Sequence, residues 1–213
     1  MQLRQGQREA FQHRLLSGAL EIFRAQGALE QLTVNLVVEN PEPITPRPYE
    51  LPRDQTRCDA VIEYWASDAG AAVDAMRAFG RAGLFEHAVT QSAYVVSEQP
   101  VLEEGGGRRA PLKYIGRLRF HEDLPRSAAR RSWSVHADLV ARAFQAARAY
   151  VQNAVDDVIE GDATQAGGIP EMWFDSFVDA GRFLPGAGEQ ILHDLRHFVS
   201  AGSRLYAREH VFA

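Results

Sequence analysis

His136 lies three residues after Trp133, in a run whose other apolar positions, Val140, Ala143 and Ala147, recur at helical spacing with Leu139 and Phe144 beside them. Residues three and four apart share a helix face, so the imidazole belongs to the buried stripe and not to water. A half-buried imidazole titrates near neutrality and could take or give a proton. The competing reading is a hydrogen-bonded core histidine. With Phe11 set on Trp133, Arg14 falls in the matching slot of the first half, so one proton-handling site per chain is expected. His193 and His197 have the i, i+4 spacing of a zinc pair. Ile191, Leu195, Phe198 and Val199, however, mark the buried stripe of that helix and put both histidines on its wet face, with no glutamate base among residues 194–196. His13, His87 and His121 fall near element ends and read as surface residues. Cys58 has no visible activating base and reads as a small buried residue.

The elements that must position these groups follow from periodicity. Residues 7–26 carry Phe11, Leu15, Ala19 and Ile22 on one helical face. Residues 32–39 alternate apolar with mixed positions, the period of a half-buried strand. Five prolines between 41 and 52 predict a stiff surface loop. A strand at 59–65, a helix through Val73, Met76 and Phe79, and a strand at 91–97 complete the first half. Gly105, Gly106 and Gly107 lack the strand-to-helix context of a phosphate loop and read as a linker. The second half reads strand 113–120, a helix entered through Pro125 with Ser127 as its cap, strands 150–155 and 169–175, a helix at 187–199 and a strand at 204–212.

The second half repeats the first in order. Residues 32–35 match 150–153, and 61–65 match 171–175. The second half has the order β-α-β-β-α-β of the split βαβ, or ferredoxin-like, unit. Such a unit covers one sheet face with helices and needs a partner for the other. The expected fold is therefore α+β: two tandem ferredoxin-like units closing on each other as an intramolecular α/β-barrel, the first lacking its opening strand. The N-terminal unit spans 1–104, the linker 105–112 and the C-terminal unit 113–213.

Strand alternation turns this plan into an inventory of the barrel interior. With Leu32, Val34 and Leu36 on the helix side, Thr33, Asn35 and Val37 face inward, and the repeat places Val151 and Asn153 there too. By the same logic Glu171, Trp173 and Asp175 lie opposite Val61, Glu63 and Trp65. Tyr206, Arg208 and His210 look inward with Tyr94 and Glu98, and Arg117 joins them. This mixture suits a polar aromatic ligand. Its bland alternative is a salt-bridged core in which Arg117 and Arg208 neutralise Glu171 and Asp175.

Twenty-three basic against twenty-eight acidic side chains leave a net charge of −5, which gives a nucleic-acid partner no support. The lone cysteine excludes an internal disulfide framework and suits a reducing compartment. No export signal or membrane-length apolar run stands out, so a cytoplasmic protein without a membrane partner is expected.

The run Arg130-Arg131-Ser132-Trp133-Ser134-Val135-His136, then Tyr150-Val151-Gln152-Asn153, Trp173-Phe174-Asp175-Ser176 and Arg208-Glu209-His210-Val211, resembles the EthD family of the dimeric α/β-barrel superfamily. The resemblance covers nearly all of 113–213 and is weaker over 7–100. It implies a fold and a cavity more than a reaction. With it, the expected activity is cofactor-independent proton abstraction, elimination or cyclisation on an aromatic or catabolic intermediate. His136 would be the acid/base, Asn153 and His210 would polarise a carbonyl or hydroxyl, and Trp173 with Tyr206 would clamp the ring. Trp133, Asp175, Arg117, Glu63, Trp65 and Tyr94 would line the pocket. No flavin, haem or metal is called for. The alternative is a non-catalytic ligand-binding or accessory protein. A monomeric pseudo-dimer or a homodimer is expected.

Overall fold

The computed structural model describes residues 5–27, 29–38, 58–84, 91–103, 110–161, 166–182 and 184–212. The proline-rich loop, His87 and the Gly105–Gly107 linker fall outside these residues. Within them the chain runs α1 (Gln5–Ala25), β1 (Leu29–Val38), β2 (Ala60–Ala66), α2 (Ala69–Arg81), β3 (Ala93–Glu103), β4 (Leu112–Phe120) and α3 (Arg126–Ala143). It continues through β5 (Ala149–Glu160), β6 (Gly168–Phe174), α4 (Phe177–Ala180), α5 (Ala187–Leu195) and β7 (Val199–Phe212).

Alternation decides which face each strand gives the helices. Leu32, Val34 and Leu36 of β1 pack with Leu15, Ala19 and Ile22 of α1 and with Ala75 and Phe79 of α2. On the other half Tyr150, Met172, Phe174 and Tyr206 receive Ala137 and Val140 of α3. Each fully buried side chain of this size contributes roughly 1.5–3 kcal/mol. Asp68 caps α2 by accepting from the Ala71 amide at 2.9 Å. α3 begins instead at Pro125 with no side-chain cap, so Ser127 does not hold the expected role.

All seven strands join one sheet in the order β2-β1-β7-β4-β6-β5-β3, and every pairing is antiparallel. The sheet is strongly curled. β2 and β4 are three strand spacings apart, about 14 Å in a flat sheet, yet Lys113 Nζ of β4 lies 2.8 Å from Glu63 of β2. The helices cover the convex side, and the concave side holds a second, polar core.

Boundaries depart from expectation where periodicity cannot see them. α3 stops at Ala143, with Phe144 out of helical conformation, although the apolar stripe runs on to Ala147. α5 ends at Leu195, and Val199 and Ser200 already belong to β7. Apolar residues at a helix-to-strand junction serve the core in either geometry, so burial alone does not separate the two. No helix among the described residues is long and apolar enough to cross a membrane.

Candidate functional site

Strand register builds the polar core. Lys113 stands directly opposite Trp173 of β6 and Ala207 of β7, which puts all three on one face. Glu171 and Glu209 lie two residues along the same strands and share that face. Glu209 pairs with Asn35 of β1, and Thr33 with Glu63 of β2. The curl then brings Glu63 across the hollow.

Lys113 is 1% exposed and holds three carboxylates, with Nζ 2.8 Å from Glu63, 3.1 Å from Glu171 and 3.0 Å from Glu209. Its ammonium also sits 4.6 Å from the centre of the Trp173 ring. Trp173 donates its indole N–H to Glu209 at 2.6 Å. The Asn35 amide donates to Glu63 Oε1 at 2.6 Å and to the Val61 carbonyl at 3.3 Å.

Charge distribution follows from burial. Desolvation opposes the Lys113 cation, but Glu63, Glu171 and Glu209 together outweigh it and raise its pKa. Desolvation and the neighbouring Glu63 charge push the Glu171 carboxyl well above the ordinary range, against the opposing pull of Lys113. A hydrogen bond to Glu63 reinforces the shift. Burial and Glu63 thus favour the protonated form of Glu171 beside a fixed cation, the arrangement of acid and base that proton transfer requires.

The sequence-predicted residues divide between the two faces. Glu63 and Trp173 belong to the cluster. Asn153 is buried two residues beyond Val151, which packs on Trp173. Trp65 and Arg117 are half-buried on the same concave face, opposite Gln31 and Ser203, and Tyr94 is half-buried on β3. The remainder correct the expectation. Tyr206 faces the helices, edge-on to Tyr114 at 5.7 Å and to Phe177 at 5.3 Å, and burial pushes its phenol up to about 12. His210 is exposed and shares the face of Val34, on the helix side. The phase of β7 is shifted by one from the expected one; Ala207 and Glu209 are the inward residues. Asp175 lies past the end of β6 in an exposed pair with Arg148 at 2.6 Å.

His136 is buried, but on the convex side. Its Nδ1 meets Asp194 of α5 at 2.5 Å, and Phe198 stands edge-on at 5.6 Å. Desolvation lowers its pKa despite the opposing Asp194 carboxylate. The sheet separates it from Lys113, so it fastens α3 to α5 and lines no barrel mouth. Trp133 also lies on this side, against Phe120 at 6.0 Å. The three expected catalytic residues, His136, Asn153 and His210, are not brought together. His193 and His197 are exposed with their rings in contact, and no group of three or more potential metal ligands occurs among the described residues. Cys58 is exposed, not buried.

Lys113 and Glu209 are the members of the polar core that sequence reasoning misses. Lys113 carries a usable signal, since it shares strand parity with Arg117, which is expected inside. Glu209 has none, because β7 carries small, charged and aromatic residues on both faces.

No protein-family model matches the chain, and neither does any curated protein sequence. Among solved structures, an anthrone oxidase-like protein superposes with a TM-score of 0.61 at 12% identity, covering 95% of this chain and 87% of its own. A provisionally named monooxygenase from Lactobacillus acidophilus NCFM superposes with a TM-score of 0.52 at 6% identity, covering 96% and 88%. At such identities the likeness concerns architecture alone. The antiparallel seven-stranded sheet with its helical cover is consistent with the dimeric α/β-barrel fold of these two structures.

Proposed function

We propose that this chain is a cofactor-independent acid/base enzyme acting on a small aromatic ketone or enol inside the curled sheet, with Glu171 and Glu63 as the proton-transferring pair. The observation that carries the reading is the buried pair of Glu63 and Glu171 converging on the Lys113 ammonium at 2.8 and 3.1 Å, with the Glu171 carboxyl pushed well above the ordinary range by desolvation and the Glu63 charge. Glu63 takes a proton from a carbon conjugated with the carbonyl, as the methylene of an anthrone is. Glu171 delivers its own to the carbonyl oxygen, and the enol forms. The proton has only changed places within the pair, so the total charge facing Lys113 is constant and the step needs no reorganisation of buried charge. This assigns proton transfer to the concave core instead of His136.

The architecture behind this proposal is two tandem split βαβ units at 1–104 and 113–213, joined through 105–112. The strand order β7-β4-β6-β5 of the later half supports it, as do the reciprocal pairings of β7 with β1 and of β3 with β5. The sheet's two outer strands, β2 and β3, would then flank the position of the strand that the first half lacks.

The test is deuterium exchange at the methylene of anthrone, a probe suggested by the named neighbour, followed by NMR in heavy water. Wild-type protein should accelerate exchange over buffer, and Glu171→Gln should lower that acceleration by about 100-fold or more. Exchange at the buffer rate, or equal in both proteins, removes the catalytic assignment. A second reading, a ligand-binding accessory protein, is favoured by the complete mutual pairing of Lys113 with its three carboxylates. It predicts binding without exchange.

A further inference from the structure

We infer that the concave core around Lys113 binds ligands bearing an O–H or N–H donor, the enol of its substrate more tightly than the ketone, in preference to ligands without one, and disfavours anions. This rests on the interior site proposed above but not on its catalysis. The argument is a donor inventory. The Lys113 ammonium has three hydrogens and three carboxylate partners. The Trp173 N–H is engaged by Glu209. Both amide hydrogens of Asn35 are engaged, one by Glu63 and one by the Val61 carbonyl. The Glu171 proton is engaged by Glu63. Every donor of the cluster therefore serves an acceptor within it.

What remains is an acceptor. Asn35 Oδ1 is buried, on a residue that is 0% exposed, and has no partner among the described residues. Turning the amide over would set its oxygen against the Glu63 carboxylate, so the assignment of nitrogen and oxygen is dictated by chemistry. A buried acceptor without a donor is unfavourable enough that native interiors rarely keep one. Three carboxyl groups around the single Lys113 ammonium leave the cluster with negative charge in excess, even with one of the three protonated. An anion at Asn35 would meet that charge beside cluster donors that are already engaged, whereas a phenol, alcohol or amine satisfies Asn35 directly.

Three probes of one size separate the possibilities: phenol, anisole and benzoate, with affinities measured by ligand-observed NMR on the intact chain. Phenol should bind about tenfold more tightly than anisole, whose methyl replaces the donor hydrogen, and benzoate should not bind. Asn35→Leu should erase the preference of phenol over anisole. Equal affinities, preferred binding of benzoate, no binding of any probe, or a preference unchanged in Asn35→Leu would each overturn the inference. The wild-type comparison decides the matter even if Asn35→Leu does not fold. Donor selectivity without anthrone exchange would sink the catalytic reading alone, and exchange without selectivity would sink this one.

Discussion

Desolvation, and after it the Glu63 charge, favour the protonated form of Glu171 against the pull of Lys113. The folded chain therefore holds a proton that the unfolded chain has released above the ordinary carboxylate value of 4.5. Where the native state binds more protons, stability falls as pH rises. The contribution is present below that value and is lost as pH climbs through the raised folded one. Glu171→Gln has no proton to lose, so its Tm should decline less than that of the wild type as pH rises above the ordinary carboxylate value. An identical decline, followed by circular dichroism across a pH series, would show that Glu171 is already ionised in the folded protein. The Glu171 position on the inner face was legible from alternation, whereas its protonation was not, because it depends on Glu63 arriving from a strand four places away in the sheet.

α3 docks closely on the sheet. Trp133 lies over the start of β6, where the glycine at 168 leaves room for its ring; a Cβ at that position would run into the indole. Gly168→Ala should cost about 1–3 kcal/mol by forcing the ring aside. Gly188→Ala, inside α5 with nothing within 4 Å of the added carbon, should be neutral or stabilising by up to about 1 kcal/mol. Urea titration of the two variants checks the contrast, and equal effects would mean that α3 yields without strain. The helical stripe through Trp133, His136 and Val140 was readable from spacing. Which surface it would meet was not: periodicity identifies a buried face without saying what lies on the far side of the sheet.

At the scale of the whole molecule, the Lys113 contacts act as chords across the hollow that hold the curl. Lys113→Met would leave three carboxylates facing one another in a water-poor core. Breaking a buried pair from one side typically costs about 3–5 kcal/mol. The half-exposed Arg148–Asp175 pair should matter little, within about 1 kcal/mol on Asp175→Asn. Amide exchange should localise the loss. In Lys113→Met, protection should fall first in β2, which hydrogen-bonds only to β1 among the strands and is tied across the hollow through Glu63. Uniform loss across β2, β4 and β6 would show that the chord does not hold the curl.

The sequence alone determined the elements other than α4, their order and the apolar faces of β1, β2 and α3, because these depend on residues two to four positions apart. It also marked Glu63, Glu171, Trp173 and Asn35 as inward. Only the tertiary structure decided that Lys113 is the cation of the core, that Glu209 and not Tyr206 faces it, and that His136 lies on the opposite side. Those outcomes depend on the register between strands distant in sequence and on the curvature of the sheet. One residue of slip exchanges a strand's two faces, and a flat sheet would have kept Glu63 and Lys113 apart.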